Sequence, residues 1–567
     1  MLKRDTLEEE NIAKTEQEHL GRVDVLTGNV VVQLLSDDSF MAEWGRLYEE
    51  CPWATVFQHS TFVKSWYISY SRQHIPILVI SRYKGRLTGL LPLAEGVKGL
   101  GMAGAGGWDA YYHTWLTRPC HGDTFITAAL QALHRCFPGQ DIFFKYLPPK
   151  APRLWFEADP KWRKKCVVRT FDRPLLDLND SMTDKLLHKK AFKEQRNRLQ
   201  RLGELQLKFI DDLETFTNTL NVLADHYDFR KAATLNLMPF REDPAKKAFL
   251  LDQFKNGLLI VTTLTVDGEI IAGLVATKGN RNWVHGAGIN THAPAFSKYS
   301  PGYVLLQMFG YKLKQEGFDY FDLTPGGHNY KDRHANTHDQ VFELRVTSTV
   351  KASCLKDFYT YKEVVKKKLA AKGINPRLLS LTVQTKISMA LAKVRATEGL
   401  HFLRHFKFNP SKETGLRVYK LTVPKGFAPA SVTVRRNNPG DLLCYSASGT
   451  GQSRWDFTNA AMKYYENRLM PYSYCKEGKL LCLVWASHNG VVPRLSEKEI
   501  KSVVIPTGSI CLKHLYCHPE AATKLKEFLL TVATELLSKA ECNAVYLQEA
   551  EFTSTLLKEA QVLEEVR

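Results

Sequence analysis

LLIVTTLTVDGEIIAGLVATK (Leu258–Lys278) is followed by NWVHGAG (Asn282–Gly288) and, after a loop, by SPGYVLLQMFGYKLKQEGFDYFDL (Ser300–Leu323). The first run holds two apolar, β-branched segments, Leu258–Val266 and Glu269–Lys278, around Asp267-Gly268. An Asp-Gly pair between such segments predicts a two-residue hairpin, because both turn positions need positive φ. Asn282–Gly288 reads as a third strand and Ile289–Tyr299 as a loop. Ser300-Pro301-Gly302 then opens a helix, Tyr303–Glu316, since proline suits the first helical turn. A strand, Tyr320–Leu323, leads into the loop Thr324-Pro325-Gly326-Gly327.

Working outward, a basic helix, a strand at Leu205–Ile210 and helices at Asp212–Arg230 and Asp243–Asn256 precede this stretch. Val341–Val346 closes it. Together they predict a mixed α/β lobe over residues 166–350. Residues 28–165 form an earlier lobe, with helices at Phe40–Cys51, Ser60–Tyr70 and Thr124–Phe137. Its strands are Ile77–Arg82 and Leu87–Ala94, joined by Tyr83-Lys84-Gly85, and Asp141–Leu147. Pro152–Pro174 reads as a linker and 351–410 as a helical connector. Residues 411–567 repeat the element order: helix Asp456–Arg468, hairpin Tyr472–Ala486, strand Ser509–Tyr516, helix Ala521–Ser538, strand Ala544–Leu547. The likeness lies in order, not in matching residues. The fold class expected is therefore mixed α/β, with tandem lobes, mixed central sheets and a helical connector.

The chain has 567 residues, 44% hydrophobic and 24% charged, which excludes a disordered or fibrous protein. Residues 1–27 are polar and carry no apolar core of a signal peptide, so they read as a flexible tail. No apolar run approaches the ~20 residues that span a bilayer. Eleven cysteines without repeating spacing point to reduced thiols rather than a disulfide scaffold. A cytoplasmic protein, at most peripheral to the inner membrane, is expected.

The net charge of +18 is concentrated. Segment 185–201 has seven Lys and Arg against Glu194, and segment 351–407 has thirteen against three acids, together +16. Such segments attract anions: substrate phosphate, an anionic membrane surface, a lipid-linked precursor or nucleic acid. No RNA-recognition, zinc-finger or helix-turn-helix pattern accompanies them, which makes tRNA the weaker partner.

Several motifs are bland on inspection. Gly99-Leu100-Gly101-Met102-Ala103-Gly104 has the spacing of a dinucleotide loop, but Ala105–Tyr112 shows no helical period, so a close-packed loop is expected. His328, His334 and His338, with Asp332 and Asp339, match no usual metal-ligand spacing, and no metal is expected. Walker, nucleophile-elbow and zincin patterns are missing from the sequence. Ser300-Pro301-Gly302 carries more, since unpaired N–H groups and the positive end of a helix hold anions.

Three stretches resemble one family. They are Pro52-Trp53-Ala54-Thr55-Val56-Phe57-Gln58-His59-Ser60 with Trp66 and Gly89-Leu90-Leu91-Pro92-Leu93; the basic helix Lys193–Gly203 within FKEQRNRLQRLGE (192–204); and Tyr299–Gly302 through Gly317, Phe321-Asp322, Gly326 and Tyr330-Lys331. In order and spacing these resemble the GNAT acyltransferases, in the CelD-like branch linked to cellulose and exopolysaccharide synthesis, with the architecture of FemAB-like transferases. The resemblance covers about Val30–Val350. It implies an N- or O-acyltransferase that moves an acyl group from acetyl-CoA or another acyl-CoA to a sugar or small-molecule amine or hydroxyl.

It also implies that the fourth strand and the strand after the long helix splay apart around the pantetheine, with Trp283–Gly288 along it. Ser300, Pro301, Gly302 and Tyr303 would then face the phosphates, although the usual GNAT phosphate loop is not present. His285 is the implied base, Asp322 would orient the acceptor, Tyr330 would donate a proton, and Lys331 would neutralise an anion. Two alternatives stand beside this reading: a FemAB-like transferase using aminoacyl-tRNA, and a non-catalytic component of a polysaccharide-synthesis assembly. In the last lobe His518–Thr523 has no glycine where the phosphate loop belongs, so that lobe is expected to be degenerate.

Overall fold

The Asp267-Gly268 turn adopts the conformation its residues favour. Its φ angles are 48° and 83°, and the flanking strands pair antiparallel from Glu269↔Val266 to Thr277↔Leu259. Paired positive φ values recur at Lys84-Gly85 and Glu477-Gly478. Three hairpins thus share one turn chemistry, in which the glycine accepts the left-handed conformation without steric cost. The computed structural model describes residues 21–181, 183–187, 189–280, 282–326, 329–372, 417–429, 431–446, 452–487, 506–538, 542–549 and 563–565.

Two compact units are present. The first comprises Met1–Leu220, Asp243–Asn290 and Gly302–Ile374. Its strands are β1 (Arg22–Thr27), β2 (Ile75–Tyr83), β3 (Arg86–Val97), β4 (Gly101–Gly104), β5 (Leu116–Thr117), β6 (Ile142–Leu147), β7 (Cys166–Asp177), β8 (Leu205–Ile210), β9 (Leu259–Val266), β10 (Glu269–Lys278), β11 (Trp283–His292), β12 (Tyr320–Asp322) and β13 (Thr337–Val346). They form a 13-stranded sheet in the order β1-β2-β3-β4-β6-β13-β7-β12-β11-β10-β9-β8, with β5 beside β3. β4 runs parallel to β6 and β11 parallel to β12, while the hairpins and both pairings of β13 are antiparallel. The sheet is therefore mixed.

The same motif occurs twice in it. A meander (β2-β3-β4, then β9-β10-β11) is followed by a helix (Gly122–Cys136, then Pro301–Gln315) and a parallel strand (β6, then β12). The stretches 28–165 and 166–350 share this one sheet, because β13 lies between β6 and β7. Trp44, Trp66, Trp115 and Phe125 lie in the core against the first motif, each fully buried.

Two expectations need correction. Pro152–Pro174 is not a linker: it holds the short helices Leu154–Glu157 and Pro160–Arg163 and most of β7, a central strand. Its arginines and proline disguise the strand. They are accommodated because Arg169 and Arg173 stand opposite Glu343 and Asp339 on β13 and ion-pair with them. The polar tail is also shorter than 1–27, since Arg22–Thr27 pairs with Ile77–Arg82 as an edge strand.

The second unit comprises Asn221–Glu242, Thr291–Pro301 and Asn375–Arg567. Its strands are β14 (Arg417–Leu421), β15 (Arg435–Arg436), β16 (Leu469–Lys476), β17 (Lys479–Ser487), β18 (Ser509–Cys517), β19 (Ala544–Glu549) and β20 (Leu563–Glu565), in the order β15-β16-β17-β18-β19-β14-β20. The meander β16-β17-β18, the helix Leu525–Leu537 and the parallel β19 repeat the motif a third time. Phe528, Leu529 and Leu536 of that helix pack with Tyr472 and Val484 of the sheet. Of the expected connector 351–410, the helix Thr349–Ala371 is seen, and 373–410 lies outside the described residues. Among the described residues no helix is long and apolar enough to cross a membrane.

Candidate active site

Parallel pairing of β11 with β12 sets His285 directly opposite Asp322. His285 Nδ1 lies 2.9 Å from Asp322 Oδ2. Asp322 is fully buried and also accepts from Tyr112 Oη at 2.5 Å and from the Thr324 backbone N–H at 2.7 Å. Burial pushes this carboxyl toward its neutral form. The His285 hydrogen bond and the Arg173 charge outweigh that, and its pKa lies below the ordinary value.

An ionised carboxylate only accepts hydrogen bonds, so Nδ1 of His285 carries a hydrogen toward Asp322, and in the neutral tautomer that this selects Nε2 is the acceptor. That Nε2 is buried and has no hydrogen-bond partner among the described residues. The imidazole forms part of the floor of a cleft of about 470 Å³, whose walls include Trp53, Thr55, Lys150, Arg173, Asn280 and Trp283. Gly279 leaves room beside it: a Cβ there would come within 2.8 Å of Nε2. A partnerless acceptor at the floor of a cleft can take a proton from a bound amine or hydroxyl.

The surrounding charge is arranged to keep this pair in place. Arg173 is buried, forms a two-pronged pair with Asp339, and has a nitrogen 3.9 Å from Asp322. Its guanidinium lies 5.3 Å from the Tyr112 ring centroid and 5.1 Å from that of Trp283. Burial and the neighbouring Asp322 carboxylate raise the Tyr112 phenol well above its ordinary pKa, so it stays a donor.

The Pro52–Ser60 stretch builds the opposite wall. Gln58 Nε2 donates to the Tyr112 carbonyl at 2.8 Å, and Asn280 Nδ2 donates to the Ala54 carbonyl at 3.1 Å. The Phe57 ring sits 5.5 Å from the His285 ring and 5.8 Å from that of Tyr112. Both sequence motifs therefore meet at one imidazole.

The other expected site residues lie as follows. Asp322 has no exposed surface and, unlike His285, does not line the cleft; its Oδ2 faces His285 Nδ1. Lys331 is buried and its Nζ donates to Thr324 O and Oγ1, both at 2.8 Å, and to Pro325 O at 3.3 Å. It clamps the loop after β12 rather than offering a free cation, and burial lowers its pKa to about 8. Tyr330 is in the helix Asn329–His334, but its side chain is outside the described residues. Ser300 takes the left-handed conformation, φ 53°, and Pro301 begins the helix that contains Gly302 and Tyr303. The Tyr303 ring packs 4.8 Å from that of His334.

Tyr112, Arg173 and Gly279 were not singled out from the sequence. Tyr112 is 210 residues from Asp322, and no spacing rule connects them. Of the histidine cluster, His334 faces Gln307, His338 faces Asp332, and His328 lies outside the described residues. No group that could hold a metal occurs among the described residues. Gly101–Gly104 is strand β4, and Gly104 packs so closely on His113 that a Cβ would come within 2.4 Å of it.

Comparison with known proteins adds a domain match over part of the chain. No curated protein matches the chain. Among solved structures, the chain is similar to the C-terminal domain of a putative lysylphosphatidylglycerol synthetase from Agrobacterium fabrum (12% identity, 56% of this chain, 95% of that chain, TM-score 0.38). It is also similar to FemX (8%, 56% and 98%, TM-score 0.39) and to a tandem GNAT protein from the clavulanic acid biosynthesis pathway (14%, 57% and 98%, TM-score 0.34). The stretch that holds β8 to β12, and with them His285 and Asp322, falls within residues 188–332, which match the acetyltransferase (GNAT) domain.

Proposed function

We propose that the protein is an acyltransferase in which His285, oriented by Asp322, is the general base. A neutral imidazole at the cleft floor takes a proton from an amine or hydroxyl as that group attacks the thioester carbonyl of acetyl-CoA or another acyl-CoA. The carbon–sulfur bond then breaks, the acyl group stays on the acceptor, and the thiolate leaves to be protonated, with Tyr330 as the candidate donor. The observation that carries this reading is that His285, whose buried Nε2 has no partner among the described residues, lines the cleft. Ser300, Pro301, Gly302 and Tyr303, at the start of a helix, are the proposed pyrophosphate contacts.

Trp53, Trp283, Lys150 and Asn280 in the same cleft suit an acceptor with an apolar face and polar edges. That supports a sugar or small-molecule acceptor, and with it the CelD-like reading in exopolysaccharide or cell-envelope synthesis on the cytoplasmic side of the inner membrane. A second reading rests on the helix Lys190–Gln200, where Lys190, Lys193, Arg196 and Arg198 are all exposed. Such a surface, with 351–407 as a further basic segment, suits a polyanionic donor such as aminoacyl-tRNA, a lipid-linked precursor or an anionic membrane.

Isothermal titration of the full chain with acetyl-CoA tests the first reading, which expects saturable binding lost in Gly302→Trp. No binding, or binding untouched by the substitution, would sink it. Copurifying tRNA whose affinity falls steeply with salt would favour the second. Full biological activity in Asp322→Ala would instead mark a non-catalytic assembly component.

A further inference from the structure

A second cleft, of about 430 Å³, lies entirely within the second unit and has no part in the acyltransfer reading. Cys444 and Cys475 both line it, with Arg241 and Arg435 among the other walls. Backbone geometry brings the two thiols together. Cys444 follows the short helix Pro439–Leu442, and its carbonyl accepts the Leu480 N–H at 3.1 Å. Leu480 is the cross-strand partner of Cys475 in the β16–β17 hairpin. Cys475 also stands at an irregularity in that ladder, after Tyr474, where Leu481 is the extra residue on the facing strand.

Cys444 Sγ donates to the Gly440 carbonyl at 3.5 Å, and the Cys475 thiol is the neighbour that acts most strongly on it. Arg241 Nη1 donates to the same sulfur at 3.4 Å. Arg241 is itself held, donating through Nη2 to the Gly440 carbonyl at 2.8 Å and through its backbone N–H to Asp228 at 2.9 Å. Arg435 is committed to Asp441. The Cys475 hydrogen bond and the Arg241 charge, against burial and the Asp441 carboxylate, hold the Cys444 thiol below its ordinary pKa, while Cys475 is raised. Both thiols are half-exposed, whereas Cys51, Cys166, Cys482, Cys511 and Cys542 are buried.

We propose that Cys444 and Cys475 form a peroxide-reactive dithiol, with Cys444 the attacking sulfur and Cys475 the resolving one. The Cys444 thiolate attacks one oxygen of a hydroperoxide; the S–O bond forms as the O–O bond breaks, and hydroxide or alkoxide departs. Cys475 then attacks the sulfenic sulfur, the S–S bond forms, the S–O bond breaks, and water leaves with the Cys475 proton. Two electrons pass from the two sulfurs to the peroxide. A charged donor beside an accessible thiol, with a resolving thiol in contact, is the setting in which such oxidation is selective. Cys482 and Cys517 form an internal contrast, since they face each other across β17 and β18, but Cys482 is buried and its thiol is pushed up by the Cys517 hydrogen bond and by burial.

The test treats the purified full chain with hydrogen peroxide near neutral pH, followed by non-reducing peptide mass spectrometry. The expected product is a Cys444–Cys475 linked peptide, formed before any Cys482–Cys517 link. Iodoacetamide should label Cys444 at least about tenfold faster than the exposed Cys120. In Cys475→Ser a dimedone adduct should accumulate on Cys444, and in Cys444→Ser residue Cys475 should stay reduced. Labelling of wild-type Cys444 no faster than Cys120, or a Cys482–Cys517 link forming first, would overturn the proposal without recourse to variants.

Discussion

The parallel pairs β11–β12 and β18–β19 have the same backbone plan and different side chains. Each third meander strand is distorted, at Gly288 with φ 120° and at His514 with φ 52°. Three residues before the distortion stand His285 in β11 and Cys511 in β18, opposite Asp322 and Tyr546 respectively. His285 is held by a carboxylate and keeps a bare nitrogen. Cys511 is buried and its thiol is pushed up to about 11 by desolvation, so it is protonated and inert near neutral pH. The entries to the following helices differ in the same way. Both have a proline, but Ser300-Pro301-Gly302 has a glycine where His518-Pro519-Glu520 has a carboxylate that would repel phosphate. A repeated backbone plan therefore does not repeat its side chains.

The sharpest way to break this contrast is to remove each central side chain. His285→Ala should lower kcat for acyl-CoA-dependent transfer by about 10²–10⁴-fold, while Cys511→Ala should leave it within about twofold. Thiol release followed with a thiol-reactive dye reads both, and equal losses would end the distinction.

Next in size is Asp322→Ala, which leaves the donors of His285, Tyr112 and Thr324 without their acceptor and takes a carboxylate from beside Arg173, which keeps Asp339; it should cost about 3–5 kcal/mol in urea unfolding. The Asp322 pKa is depressed in the folded state. Its stabilising contribution is therefore complete above about pH 4 and is lost as pH falls below that. Asp322→Asn should show a shallower acid limb than wild type; an unchanged limb would contradict the depressed pKa.

Tyr112→Phe removes one donor to a buried carboxylate and should cost about 1.5–3 kcal/mol. It should preserve the fold by circular dichroism. The smallest effect is expected for Gly279→Ala, whose methyl would press on His285 Nε2. A loss of roughly 1 kcal/mol of transition-state stabilisation, about fivefold in kcat/KM, is the expected reading, and an unaffected rate would mean that Nε2 is not the working atom.

Hairpins, helices and the strand carrying His285 were legible because local rules govern them. Asp267-Gly268 and Glu477-Gly478 need left-handed backbone whatever surrounds them, and apolar runs on either side must pair. β7 was not legible, because arginine and proline make an unlikely strand until Glu343 and Asp339 are placed opposite. β1 was hidden for a related reason, being short, polar and dependent on β2 for its hydrogen bonds.

For the site, the family resemblance marked His285 as a base and Asp322 as a group that orients the acceptor, but not the relation between the two. Asp322 looked like a group for the acceptor until its burial and its hydrogen bond to His285 were seen. Lys331 looked like a free cation until its three oxygen partners were seen. Tyr112 and Arg173 had no signal at all.

What the chain's own order of residues determined was therefore local: turn positions, strand and helix periods, the element order shared by 166–350 and 411–567, and where basic charge is concentrated. These follow from φ preferences and side-chain periodicity within a few neighbouring residues. Only the tertiary structure decided that Pro52–Ser60, Tyr112 and Arg173 converge on His285, that one sheet runs through both N-terminal lobes, and that Cys444 meets Cys475. Those outcomes depend on strand register and burial between residues tens to hundreds of positions apart, where no local rule acts.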